Sequence, residues 1–195
     1  MSHLFAYLAR MKLITRWPLM HNVKTENVQE HSLQVSMIAH ALALISNKKF
    51  KGTFDPHKIA TIAMFHDASE VFTGDMPTPI KYYNPNITTE YKKIEVAAEK
   101  KLLSMVPEIF QEDYETLITL KDLSDEEKGL IKSADTIAAY LKCIEEIQLG
   151  NHEFQPPYKR LKQTLESSSN KEILYFLEQF VPSFHLSFDE ISGDL

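Results

Sequence analysis

The chain has 195 residues, 44% of them hydrophobic and 25% charged, which fits a globular protein with a substantial core. A formal net charge of -6 argues against the broad cationic surface that holds a nucleic-acid polymer, yet it leaves room for a small phosphate in a locally positive pocket. Cys143 is the sole cysteine, so no internal disulfide can form, and its neighbours mark it as a buried packing residue. No stretch reaches the roughly 20 apolar residues needed to cross a bilayer, and the first residues lack a basic start with an apolar core, so the expected location is the cytoplasm without a membrane partner. The nine prolines and five glycines are dispersed and no repeat or low-complexity tract divides the chain, so residues 1–195 are expected to form one domain.

Helical periodicity dominates and alternating strand patterns are scarce, so the expected fold is all-α, a compact multi-helix bundle. A first helix is expected over Ser2–Leu13, ending before Arg16-Trp17-Pro18 because proline disfavours helical geometry in the residue before it. A second runs over Asn27–Ser46, where His31, Val35, Ile38, Leu42 and Ile45 recur at steps of three or four and put this histidine on the core-facing stripe. Asp55-Pro56 starts a third helix, cap followed by first-turn proline, that is expected to reach Phe72 and stop near Gly74. On it, His66 and Glu70 share a face with Ile59, Ile62 and Ala63, and Asp67 flanks that face. Asp75-Met-Pro-Thr-Pro-Ile80 should follow as a rigid loop. Further helices are expected over Thr89–Val106, Glu108–Leu120, from the Ser124-Asp-Glu-Glu127 capping box to before Gly150, over Tyr158–Leu165 and over Lys171–Phe180, with Pro182 ending the last.

Four potential ligands stand out inside these apolar stretches: His31, the His66-Asp67 pair and Asp135. Buried polar groups need partners, and a divalent ion is one. Imidazole and carboxylate suit zinc, manganese, iron, cobalt or nickel, and three helices could converge them with open positions for water and substrate. Glu70 could then orient or deprotonate that water. Taken singly, each residue also has a plainer reading: a core histidine bonded to a backbone carbonyl, an aspartate at a face boundary, a solvated glutamate. Chemistry alone leaves both readings standing.

The text around these residues is more specific. Arg16-Trp17-Pro18-Leu19-Met20, Glu26-Asn-Val-Gln-Glu-His-Ser32, His66-Asp-Ala-Ser-Glu70, Thr73-Gly-Asp-Met-Pro-Thr-Pro79 and Lys132-Ser-Ala-Asp135 carry an H…HD…D signature that resembles the bacterial HD-domain 5'-deoxynucleotidases over nearly the whole chain. That resemblance implies an HD-domain bundle that hydrolyses deoxyribonucleoside 5'-monophosphates to deoxynucleoside and phosphate. It also implies one divalent ion, cobalt or manganese first, with zinc, iron, nickel or copper as further candidates, held by His31, His66, Asp67 and Asp135. By the same pattern Arg16 holds the phosphate, Trp17 lines the sugar site, and Asp75, Met76, Pro77 and Thr78 form the pocket wall, with His31, Asp67 and Asp135 completing the substrate contacts. Glu70, Arg16 and Asp67 are the expected catalytic group, and a homodimer is the expected assembly. Trp17 could instead be a packing anchor, Arg16 an ordinary surface ion pair, and Lys81 a solvated lysine. The alternatives in function are an HD phosphohydrolase acting on a nucleoside triphosphate, cyclic nucleotide or alarmone, a helical module that binds a nucleotide without turning it over, or a purely structural bundle.

Overall fold

A computed structural model describes residues 1–81 and 83–193, with only the backbone at Thr78. Helices make up the ordered elements, and among the described residues the single β-type contact is an isolated antiparallel bridge between Thr15 and Asn27. None of the described helices is long and apolar enough to cross a membrane.

The first expected helix is broken in two. Helix α1 spans Leu4–Leu8 and a 3-10 turn spans Met11–Leu13. Between them the Arg10 N–H takes the Tyr7 carbonyl three residues back, a tighter winding that turns Met11 into the interior. Helix α2, Val28–Phe50, begins one residue later and ends four residues beyond its expected boundary, where Lys51 adopts a left-handed conformation. The Asn27 side chain accepts from the Gln29 and Glu30 N–H groups, and Glu30 reaches back to the Asn27 N–H, a reciprocal cap that fixes the turn carrying His31. Asn27→Ala is expected to lower stability by about 1 kcal/mol in a denaturant titration.

Helix α3 is Pro56–Ala63, with Asp55 accepting from the His57 and Lys58 N–H groups as its cap sequence predicts. It does not continue to Phe72. From Phe65 onward the backbone bonds three residues back: Phe65 to Ile62, His66 to Ala63, Ala68 to Phe65 and Glu70 to Asp67. Only then does a short helix α4, Glu70–Thr73, form. With about three residues per turn, His66 no longer lies beneath Glu70, so the shared face expected from a continuous helix is lost. The expected loop after Gly74 itself contains a helical turn, α5, Thr78–Lys81.

Helix α6, Pro85–Leu103, starts four residues before the expected Thr89 because Asn84 caps it through the Ile87 N–H and Pro85 opens its first turn. The 3-10 turn Glu108–Phe110 leads into α7, Gln111–Thr119, and α8, Asp125–Gln148, carries the Ser124–Glu127 capping box. Helices α9, Gln155–Glu166, and α10, Lys171–Gln179, follow, and Pro182 falls in a 3-10 turn, Val181–His185, that ends the run. A short α11, Phe188–Ser192, capped by Ser187, lies beyond the elements expected from the sequence.

The largest core cluster joins α2, α3, α8 and α10 around Leu42, Ile59, Ile62, Ile137 and Phe176. A smaller cluster joins Leu4, Ala68, Leu102, Val106 and Ile118. Ala68 and Phe65 belong to the second cluster while Ala63 belongs to the first, so the tight turns over residues 64–69 bridge the two. Cys143 is buried as expected, and burial pushes its thiol up to about 12.

The last turns of α8 bury a charged pair, Lys142 and Glu146. Burial alone would raise the Glu146 carboxyl, but hydrogen bonds from Lys142, the Val23 and Lys24 N–H groups and Asn151 bring it from the ordinary 4.5 down to about 2. A folded value below the unfolded one means that this contribution to stability is fully present above the unfolded pKa, and is lost as pH falls through the folded pKa. Urea titrations from pH 7 to pH 3 should show wild-type stability falling at the acid end, with a shallower decline in Glu146→Gln.

Candidate metal centre

Three elements bring the predicted ligands together. His31 comes from the first turns of α2, His66 and Asp67 from the tight turns after α3, and Asp135 from the middle of α8. His31, His66 and Asp67 each offer an atom within 4.8 Å of the others, and the two imidazole centroids are 5.4 Å apart. Asp135 joins through His31, whose Nε2 lies 3.1 Å from Asp135 Oδ1 and 3.7 Å from Asp67 Oδ2. The other Asp135 oxygen pairs at 2.7 Å with the exposed Lys132 ammonium.

His66 provides the test of whether these residues fit a cation. Its Nδ1 lies 2.7 Å from the Ala63 carbonyl, so Nδ1 carries the proton and donates it, leaving a lone pair on Nε2. That Nε2 is buried with no hydrogen-bond partner, although it lies 3.1 Å from Asp67 Oδ2. A lone pair facing a carboxylate oxygen is stable only with positive charge between them. Burial disfavours a charged His66, yet Asp67 and Asp135 raise its pKa above the ordinary value. Burial also works against ionised Asp67 and Asp135, but the surrounding imidazoles, joined at Asp135 by Lys132, hold Asp67 down at about 2 and Asp135 well below its usual value. The cluster is an anionic pocket with nitrogen and oxygen donors, which suits a divalent metal of the zinc, manganese or cobalt type.

Arg16 is not a surface ion pair. Its side chain is 11% exposed, with Nε 3.1 Å from Glu26 Oε2 and Nη1 3.5 Å from Asp67 Oδ2. Burial alone would depress its pKa, but Asp67, Glu26, Asp75 and Asp135 together raise it, so the guanidinium stays charged beside the His31–His66–Asp67 cluster. Glu26 stands in one of the motifs quoted above without a signal of its own; pairing across ten residues exists only once the Thr15–Asn27 bridge closes the segment.

Trp17 is half-buried and adopts a left-handed φ of 56°. Its N–H donates to Asp75 Oδ2 at 3.3 Å, which joins the Arg16–Trp17 corner to the loop after α4. Its ring packs on buried Phe154, with the two centroids 5.2 Å apart. Met76 and Pro77 are half-buried in the Asp75 loop, and the Pro77 carbonyl accepts from the Ile80 and Lys81 N–H groups of α5. The side chain of Thr78 lies outside the described residues. Lys81 is not a freely solvated lysine, since its ammonium pairs with Glu95 at 2.9 Å and lies 4.9 Å from the Tyr91 ring centroid.

Glu70 opens α4 with Oε2 buried and unpartnered. Burial first, then repulsion from Asp67 and Asp75, push its carboxyl up to about 9 despite Arg16 and Lys81. A carboxyl held protonated beside an anionic pocket is suited to handling a proton. The assembled site can therefore bind a cation, neutralise an anion through Arg16 and exchange a proton at Glu70.

The 5'-deoxynucleotidase of Photobacterium profundum is 61% identical over 191 residues, covering 98% of both chains. An HD-domain phosphohydrolase from Listeria innocua superposes with a TM-score of 0.80 at 26% identity, over 94% of this chain and 89% of that one. The cyanophage S-2L HD phosphohydrolase DatZ, bound to dA and one catalytic Zn2+ ion, shares the fold at 19% identity with a TM-score of 0.61, over 91% of this chain and 96% of that one. A family model described as 5'-deoxynucleotidase YfbR-like matches residues 3–184, and on this footing the chain belongs to the YfbR-like 5'-deoxynucleotidases and is an all-α, HD-domain phosphomonoester hydrolase.

Proposed function

We propose that this chain, acting as one domain, hydrolyses deoxyribonucleoside 5'-monophosphates to deoxynucleoside and orthophosphate at the His31–His66–Asp67–Asp135 cluster. The observation that carries the reading is the unpartnered His66 Nε2 facing Asp67 Oδ2, with the buried Arg16 guanidinium on the same carboxylate. His31, His66, Asp67 and Asp135 would hold one divalent ion. When bound, that ion supplies charge to phosphate oxygens and lowers the pKa of water. Cobalt or manganese is the working choice, and the zinc of DatZ is the leading competitor.

Arg16 grips the phosphate and offsets the charge that grows on its oxygens as phosphorus is attacked. Glu26, at 3.1 Å, keeps the guanidinium aimed. Glu70, held protonated, gives its proton to the leaving 5'-oxygen and recovers one from the attacking water at its unpartnered Oε2. Trp17 and the segment Asp75, Met76, Pro77 and Thr78 close over the sugar. Preference for the deoxy substrate would follow if this wall, braced by the Trp17–Asp75 hydrogen bond, leaves no room or no partner for a 2'-hydroxyl.

Metal-stripped protein with cobalt, manganese, magnesium or zinc restored singly should release phosphate faster from deoxyadenosine monophosphate than from adenosine monophosphate. No release with any ion, despite measurable metal binding, would contradict the reading; release of pyrophosphate or triphosphate from a triphosphate substrate would favour a different HD hydrolase. Arg16→Lys keeps the charge but loses the planar fork, and kcat/KM should fall on the order of 10- to 100-fold, the equivalent of one charge-assisted hydrogen bond.

The chain is expected to work in the cytoplasm as a homodimer. Exposed Ile94 and Val96 on α6 are apolar positions that a second copy could cover, and sedimentation equilibrium tests this directly.

A further inference from the structure

The geometry points to the buried Lys142–Glu146 pair as the positioning device for the Arg16–Trp17 corner, acting on substrate affinity without touching the substrate. The inference deepens the nucleotidase reading and rests on it. The corner belongs to a loop whose two ends are tied by the Thr15–Asn27 bridge and by the Arg16 N–H to the Glu26 carbonyl. Within the loop, Trp17 takes the left-handed conformation, which bulky side chains adopt only when their surroundings impose it. The imposing contacts form a chain. The Trp17 carbonyl accepts from Asn22 Nδ2 at 3.2 Å, and the same amide donates to the Met20 carbonyl at 2.9 Å.

The next link is α8. Glu146 accepts from the Val23 N–H at 2.9 Å and the Lys24 N–H at 3.0 Å, one on each carboxylate oxygen. Lys142 donates to the Lys24 carbonyl and to Glu146. Asn151, just beyond the helix, donates to Glu146 and to the His21 carbonyl, each at 2.7 Å. A second route is apolar: Phe154 is fully buried, with the Trp17 ring centroid 5.2 Å and the Lys142 ammonium 5.8 Å from its own centroid.

Placement on α8 makes the arrangement specific. Lys142 and Glu146 follow Asp135 by seven and eleven residues, two and three helical turns, so ligand and clamp lie along one face. Lys142 is 4% exposed and Glu146 0%. A charged pair so buried gains little net stability over well-packed apolar residues, so packing alone does not account for it. What apolar residues could not do is hold two backbone N–H groups and a backbone carbonyl of a strained loop in register with Asp135.

The test is the double variant Lys142→Met, Glu146→Leu, which leaves no unpaired charge and is expected to fold. The Val23 and Lys24 N–H groups lose their acceptors and turn to water, carrying the loop with them. Trp17 is the chain's only tryptophan, so its fluorescence reports the corner directly. The expected result is unchanged circular dichroism and bound metal per chain, red-shifted Trp17 emission with greater acrylamide quenching, and KM for deoxyadenosine monophosphate raised on the order of tenfold. The change in kcat should stay within about threefold, because Glu70 and the four ligand residues are untouched and the Arg16 guanidinium keeps its Glu26 and Asp67 partners. A folded variant with unchanged emission, quenching and KM overturns the proposal, as does a shift in emission without any change in KM. Should the double variant not fold, Glu146→Gln is read the same way, with smaller shifts. Absence of phosphate release from the wild type would mark failure of the nucleotidase reading, and Trp17 emission alone then decides whether the pair holds the loop.

Discussion

Replacing Asp67 with alanine is expected to remove bound metal and reduce kcat/KM on the order of 10³-fold or more, the effect of losing several kcal/mol of charge stabilisation in the transition state. Asp67 is the common point of the site. Its Oδ2 lies 3.1 Å from His66 Nε2, 3.5 Å from Arg16 Nη1 and 3.7 Å from His31 Nε2. Its loss therefore removes a proposed ligand and leaves two imidazoles and a guanidinium facing one another without their shared anion. The wild type should gain about 2.7 kcal/mol of stability when the ion is supplied at 100 times its dissociation constant, and Asp67→Ala should gain far less. Metal content after gel filtration, denaturant titration with and without chelator, and phosphate release check the three consequences. A folded Asp67→Ala protein that keeps its metal and most of its turnover would move the reaction centre elsewhere.

Glu70→Gln separates proton handling from metal holding. The amide keeps the size of the carboxyl but neither gives nor takes a proton at neutral pH, so kcat should fall about 10²- to 10⁴-fold while KM and metal content stay close to wild type. The structural ground is that Glu70 Oε2 is buried and unpartnered, and that burial beside Asp67 and Asp75 favours its protonated form. Glu70→Ala with full turnover would eliminate the role. A loss of metal in Glu70→Gln would instead make this carboxyl a ligand.

Much of the fold is local and can be read from the sequence. The Asp55-Pro56 start, the Ser124–Glu127 capping box and the stripe that carries His31 inward are decided within one or two turns of helix. The same cap-and-proline signal stands at Asn84-Pro85, where the expected start at Thr89 falls four residues late. The His66-Asp67 segment departs from its expected helix because apolar periodicity does not distinguish four-residue from three-residue hydrogen bonding over so short a stretch. The tighter winding there is set by tertiary packing, with Phe65 and Ala68 drawn into the second cluster, and by the Ala63 carbonyl, which accepts from both the backbone and the ring of His66. Arg16 and Trp17 are recognisable as motif residues, but their conformations are not: the Glu26 partner, the left-handed Trp17 and the Phe154 platform depend on a loop closed by a single bridge. Lys142 and Glu146 are silent in the sequence for a related reason. A lysine and a glutamate four residues apart on a helix usually form a solvated pair, and these are buried only by the folded loop above them.

The most direct test of the central claim is anomalous diffraction from crystals of the metal-stripped protein soaked in manganese or cobalt. The account predicts one strong peak within coordination distance, about 2.0–2.2 Å, of His31 Nε2, His66 Nε2 and an Asp67 oxygen, with Asp135 turned from His31 toward the ion. A peak at another cluster, or no peak in crystals of protein that needs the metal for phosphate release, would contradict it.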